Sequence, residues 1–257
     1  MQKVENPSEI IKTKKPPSTL FYKGSLELLK RPRVSIVGAR KPSLYTQNYT
    51  FLLAKALSKR GVCIVSGAAM GVDAIAHKGA GAENTIAVVG NGLDIRYPSI
   101  NRDLIEEIEK SGLVLSQFEE GFKPTKWSFV LRNELVVALG DILIVAQANL
   151  DSGSMRSVAY AQEQSKEIFV LPHQLGESQG TNGLLASGDA KAIWDIDQFA
   201  SLYGDIPSSD GIKKDDFFYF CQQNPTLDET ILLFQDRVYE AELLGEIVIE
   251  NGRVRLA

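Results

Sequence analysis

The sequence predicts an α/β protein with a doubly wound, mostly parallel sheet and a small second domain at its C-terminal end. Two observations carry that reading. Six short apolar runs, Val34–Val37, Val62–Val65, Ile86–Val89, Leu113–Leu115, Ile142–Val145 and Ile168–Leu171, mostly give way to Gly or a small residue. Between them lie stretches with apolar positions near the helical period, at Gln47–Arg60, Gly71–Ala80, Asn101–Lys110, Phe129–Leu139 and Ser154–Ser165. Short buried strands alternating with helices of about 10–15 residues make βαβ units and a parallel, Rossmann-like sheet.

Taken in order, residues 1–33 are a lead-in, with Leu20–Leu29 predicted as an edge strand and turn. The organising stretch is Val34–Lys41, in which a β-branched run ends at Gly38 and is followed by Arg40 and Lys41. Ligands of open α/β sheets gather outside the carboxyl ends of the strands, so two cations stand where an anion would bind. The Rossmann-like domain is expected to run over residues 1–204. A Pro/Ser/Gly-containing linker follows over 205–215, and a winged-helix-like domain over 216–257. In that tail, Phe217–Gln223, Leu227–Phe234 and Arg237–Leu244 read as short helices. Thr226 and Glu229 form a capping-box pattern before the second, and Asn251-Gly252 marks a hairpin.

Composition narrows the classes. The chain has 257 residues, 44% of them hydrophobic and 23% charged, as in an ordinary globular protein. No run is long enough to span a membrane, and no secretory signal is visible, so a cytoplasmic location is expected. Cys63 and Cys221 sit in apolar segments and read as buried thiols. The net charge of −4 conceals a basic N-terminal stretch and an acidic tail. Glu240 and Glu242 on the third tail helix would repel a phosphate backbone, so the tail reads as a protein–protein module.

Four small-residue loops follow the strands: Gly38-Ala39-Arg40-Lys41, Ser66 to Gly71, Gly90 to Asp94, and Ser152-Gly153-Ser154. Together with the cations they make a phosphate-binding rim, because small residues let backbone amides approach an anion. The usual catalytic signatures are missing. There is no dinucleotide fingerprint, no G-K-[ST] and no G-x-S-x-G elbow, and neither His77 nor His173 has metal-ligand spacing. Asp73 and His77, four apart on a helix, read as a packing pair. No cofactor and no metal are expected. Between the fourth strand and the next helix, Lys123, Lys126, Trp127, Phe129, Arg132 and Asn133 combine cations with rings. Rings stack unpaired bases while cations track the backbone, so single-stranded nucleic acid is the expected ligand.

These motifs resemble DNA-processing protein A, the DprA/Smf family of bacteria. The resemblance rests on Ser35–Arg40 (SIVGAR), Ser66–His77 (SGAAMGVDAIAH), Thr85–Pro98 (TIAVVGNGLDIRYP), Phe129–Asn133 (FVLRN), Ser152–Met155 (SGSM) and Gly180–Gly188 (GTNGLLASG). It implies a non-catalytic homodimer that binds single-stranded DNA during natural transformation, protects it and helps load the RecA recombinase. By position it places the DNA pocket on Gly38, Arg40, Lys41, Ser66, Gly67, Lys126, Phe129, Arg132, Asn133, Ser152, Gly153 and Ser154. Three positions depart from the family pattern: Ala39 replaces a hydroxyl residue, Glu134 an Arg, and His173 a Gly. The rival expectation is a nucleotide phosphoribohydrolase of the lysine-decarboxylase-like group, whose Pro-Gly-Gly-x-Gly-Thr-x-x-Glu motif is absent.

Overall fold

A computed structural model describes residues 2–5, 16–204 and 216–257, and divides the chain into two compact units, Met1–Pro207 and Ser208–Ala257. The expected linker lies outside the described residues.

In the first unit the β-branched runs become β3 (Arg33–Val37), β4 (Cys63–Ser66), β5 (Thr85–Val89), β6 (Leu113–Ser116), β7 (Ile142–Val145) and β8 (Ile168–Val170). Two strands precede them, β1 (Gln2–Glu5) and β2 (Thr19–Gly24), and a two-residue β9 (Lys191–Ala192) ends the series. The sheet order is β1-β2-β6-β5-β4-β3-β7-β8-β9. β1 and β2 pair antiparallel with each other, as do β2 and β6, and every other pairing is parallel. The strand predicted at the edge therefore lies one place inside it. Gln2–Glu5 pairs along its outer side, and Leu20 is buried.

Alternation along the strands feeds two faces. Val34, Ile36, Ile64 and Ile144 pack with α1 (Leu44–Ser58), α2 (Val72–Ala80) and α7 (Ile196–Ser201). On the same side α3 (Arg102–Ser111) covers Ala87, Val89 and Val114. Val65, Val88, Leu143 and Val145 pack with α4 (Lys126–Leu139), α5 (Gly153–Glu163) and α6 (Gln179–Ser187). Both faces are covered, so the strands carry apolar side chains on both sides.

Two helices start three residues earlier than the sequence predicts. α1 begins at Leu44 because the Ser43 hydroxyl accepts from the Thr46 N–H. α4 begins at Lys126, not Phe129, because Thr125 and Ser128 cap it reciprocally. Among the described residues no helix is long and apolar enough to cross a membrane.

The second unit holds α8 (Asp216–Cys221), α9 (Leu227–Phe234), α10 (Arg237–Leu243) and the antiparallel hairpin β10 (Ile247–Glu250)–β11 (Arg253–Leu256). Phe217, Cys221, Val238, Ala241, Ile247 and Val254 form its core. Thr226 and Glu229 make the capping box at the head of α9. Cys63 and Cys221 are both buried.

Candidate functional site

The chain passes from β3 to β4, β5 and β6 on one side and reaches β7, β8 and β9 on the other, so the winding direction reverses between β3 and β7. Outside the carboxyl ends of such a neighbouring pair the connections diverge and leave a crevice. A cavity of about 290 Å³ opens there, walled by Val37–Arg40 at the end of β3, Ser152–Ser154 after β7, Asp73 on α2, and Arg132 and Asn133 on α4. A smaller slot of about 30 Å³ adjoins it, lined by Gly67, Met70, Gly90, Tyr97, Pro98 and Phe129. The two share Arg40, Ala69 and Arg132.

Arg132 is the partition between them. Its side chain is only 5% exposed, and Nη1 lies 3.6 Å from Asp73 Oδ2. The same nitrogen donates to the carbonyls of Gly67 and Val88. A Cβ at Gly67 would overlap the guanidinium, so any larger residue there displaces Arg132. Burial pushes the Asp73 carboxyl up, and the Arg132 charge and the Ala69 N–H pull it back. Asp73 is thus committed to Arg132. His77 is committed elsewhere. Thr85 Oγ1 donates to the Ile64 carbonyl and so accepts from His77 Nδ1, 2.5 Å away. Burial, with Arg132 adding to it, pushes the imidazole down to about 3, so it is neutral at pH 7. The two residues of α2 therefore do not act as an acid–base couple.

Phe129 is half-buried and lines the slot. The ring stacks on Tyr97 at 5.8 Å and 29°. The guanidinium carbon of Arg40 lies 6.0 Å from its centroid and that of Arg132 5.9 Å. Arg40 is itself exposed. Its loop is held from below, where the Val72 N–H donates to Ala39 O. Gly71, with φ +81°, permits that approach, because a Cβ would stand 2.3 Å from Ala39 O.

The structure brings nine of the twelve predicted site residues to one place. Gly38, Arg40, Arg132, Asn133, Ser152, Gly153 and Ser154 line the cavity, while Gly67, Phe129 and again Arg40 and Arg132 line the slot. Lys126 opens α4, one turn before Phe129, and Lys41 follows Arg40. Both lysines are exposed and line neither chamber. Ser66 is fully buried, and its hydroxyl donates to Ile36 O, tying β4 to β3. It presents no side-chain atom to the cleft.

Tyr97, Met70 and Ser157 line the chambers without having been singled out in the sequence. Of these, only Tyr97 carried a signal, as a ring beside Pro98 in a strand-end loop. Trp127 is 60% exposed and packs edge-on against Phe118 outside the slot. His173 packs against the chain just after β7. Its Nε2 donates to Ala146 O at 2.8 Å, and its ring meets Tyr45 edge-on at 5.3 Å. Glu134 lies beside Glu163 and Tyr160 of α5, away from the cavity lining.

Comparison with known proteins follows the same residues. A Synechocystis protein, Smf, is 37% identical over 203 residues, covering 76% of this chain and 51% of that protein. DNA processing protein DprA of Streptococcus pneumoniae is 39% identical, covering 67% of this chain and 62% of its own length. The chain therefore spans roughly half to two thirds of the curated relatives it matches. Among solved structures, DNA processing protein A from Helicobacter pylori, studied for its single-stranded DNA binding mode, superposes with a TM-score of 0.74 at 43% identity. That match covers 79% of this chain and 93% of the other. The Streptococcus pneumoniae structure superposes with a TM-score of 0.72 at 32% identity, over 79% of this chain and 74% of that one. The family profile for DNA recombination-mediator protein A matches residues 1–204. With that match laid over the unit that carries the switch-point cleft, the chain belongs to the DNA recombination-mediator protein A family.

Proposed function

We propose that this protein binds single-stranded DNA in the cleft outside β3 and β7 without altering it, and serves as a recombination mediator. In that role it shields incoming DNA during transformation and helps load RecA, working as a homodimer in the cytoplasm. The observation that carries the reading is the adjoining of a donor-lined cavity and an aromatic slot that share Arg40 and Arg132. A nucleotide has those two parts, and stacking on a ring requires a base free of its complement. The single-stranded DNA binding mode described for the Helicobacter pylori protein supports the same reading.

The binding residues proposed are Gly38, Arg40, Lys41, Gly67, Lys126, Phe129, Arg132, Asn133, Ser152, Gly153 and Ser154, with Ser66 holding the β3–β4 floor. A binding role without turnover fits a site whose carboxylate is ion-paired and whose imidazole is neutral and hydrogen-bonded. The phosphoribohydrolase alternative is not favoured, because it needs a general base that neither group supplies. The second unit, winged-helix-like in its order of elements, is proposed as a protein-docking module. Leu232 and Leu243 stand 81% and 88% exposed there, and Glu240 and Glu242 are exposed on α10.

The test is an anisotropy titration of oligo-dT and of a duplex of equal length at two salt concentrations. Tighter binding of the single strand, with a log–log salt slope of about −0.7 per phosphate, is expected. Equal affinity for the duplex, or turnover of a nucleoside monophosphate, would overturn the reading.

A further inference from the structure

We propose that the cavity between β3 and β7 receives a phosphate monoester, the phosphorylated end of a DNA strand, rather than a linkage from within the strand. The inference rests on the single-stranded reading above and specifies which part of the strand enters.

Three buried polar atoms carry it. α5 is an eleven-residue helix whose N-cap, Ser152, makes no capping hydrogen bond through its side chain. The first amides of a helix have no acceptor inside it, and that end carries partial positive charge. Here the Ser152 carbonyl accepts from the Met155 N–H, while its side chain caps none of these amides. Ser152 Oγ is buried and has no partner. Ser157, on the next turn, is 1% exposed, lines the same cavity, and its Oγ also has no partner. Arg132, 5% exposed, lines it from α4 with Nε unpartnered. Buried polar atoms without partners are rare in native proteins, and three around one cavity point to a ligand that supplies acceptors.

The ligand's chemistry follows from the walls. Among the described residues no aromatic side chain lines this cavity, whereas the adjoining slot has Phe129 and Tyr97, so the base belongs in the slot. The Asp73 carboxylate is already held by Arg132 and the Ala69 N–H, which offsets its charge toward an anion. An internal phosphate offers two free oxygens and has chain leaving on both sides. A terminal phosphate offers three acceptor oxygens and has chain on one side only. Ser157 and Arg132 are more than nine-tenths buried, so they form a floor below the exposed Arg40. A strand crossing the mouth meets Arg40, and a terminal group can project to the floor.

The experiment uses the full chain and oligo-dT with an internal fluorophore, ending in 5′-phosphate, 3′-phosphate or hydroxyls only. One phosphorylated oligonucleotide is expected to bind at least fivefold tighter than the hydroxyl-ended one. Ser157→Ala and Ser152→Ala, each shown folded by its thermal melt, are expected to lose that increment. An increment below fivefold in the parent, or one that persists in both variants, would overturn the inference and leave the single-stranded reading standing. Displacement by equimolar thymidine monophosphate would make a free nucleotide the occupant and also overturn it. Failure of every oligonucleotide to bind would overturn both readings.

Discussion

The guanidinium of Arg40, from the loop after β3, sits 6.0 Å from the centroid of the Phe129 ring on α4. Residues 89 positions apart thereby present a cation and a ring to one slot, with Tyr97 stacked on that ring. A stacked base adds about 1–3 kcal/mol, which corresponds to roughly 5- to 150-fold in affinity. Phe129→Ala is expected to weaken oligo-dT binding within that range, and Phe129→Leu, which keeps bulk but no ring, by a similar amount. Equilibrium titration checks both.

Arg40→Ala and Lys126→Ala address the backbone instead. Each is expected to reduce the magnitude of the log–log salt slope by about 0.7 if it removes one phosphate contact from a single strand. Salt titrations of the parent and the two variants measure this. Because both side chains are exposed, the unfolding midpoint is expected to stay where it is.

Asp73 holds Arg132, and its loss would leave a guanidinium buried without a counter-charge. Asp73→Ala is expected to cost about 3–5 kcal/mol, whereas the apolar pair Asp73→Leu with Arg132→Met recovers much of it. Urea unfolding of the three proteins checks the expectation.

Acid acts through His77. Burial lowers its folded-state pKa from the ordinary 6.5 to about 3, so the unfolded chain binds the proton first. Stability from this group is full above about pH 6.5 and falls by about 1.4 kcal/mol per pH unit below it, until the folded pKa is reached. Between pH 7 and pH 5 the parent is expected to lose about 2 kcal/mol more than His77→Asn, which keeps a donor for Thr85 but does not titrate. Urea melts at the two pH values decide it.

Much of the first unit was legible because its strands are buried on both faces and read as unbroken β-branched runs. The cleft was legible because small-residue loops and cations fall directly after those runs. What escaped lacked a local signal. α6 carries Gly180, Gly183 and Thr181, which read as turn residues, and β9 has two residues. The start of α4 was hidden by a Thr-x-x-Ser cap in place of the usual Glu at its third position. The Asp73–Arg132 pair joins residues 59 apart, while spacing alone put Asp73 beside His77. Both α2 residues point inward, one to α4 and the other to β5, and only the packed sheet reveals that.

The most direct measurement is the affinity of the Arg40→Ala, Phe129→Ala double variant for oligo-dT, beside the parent and at the same salt concentration. A loss of about a hundredfold or more, with the thermal melt unchanged, is the expected result. Binding within threefold of the parent would contradict a strand held at the β3–β7 switch point.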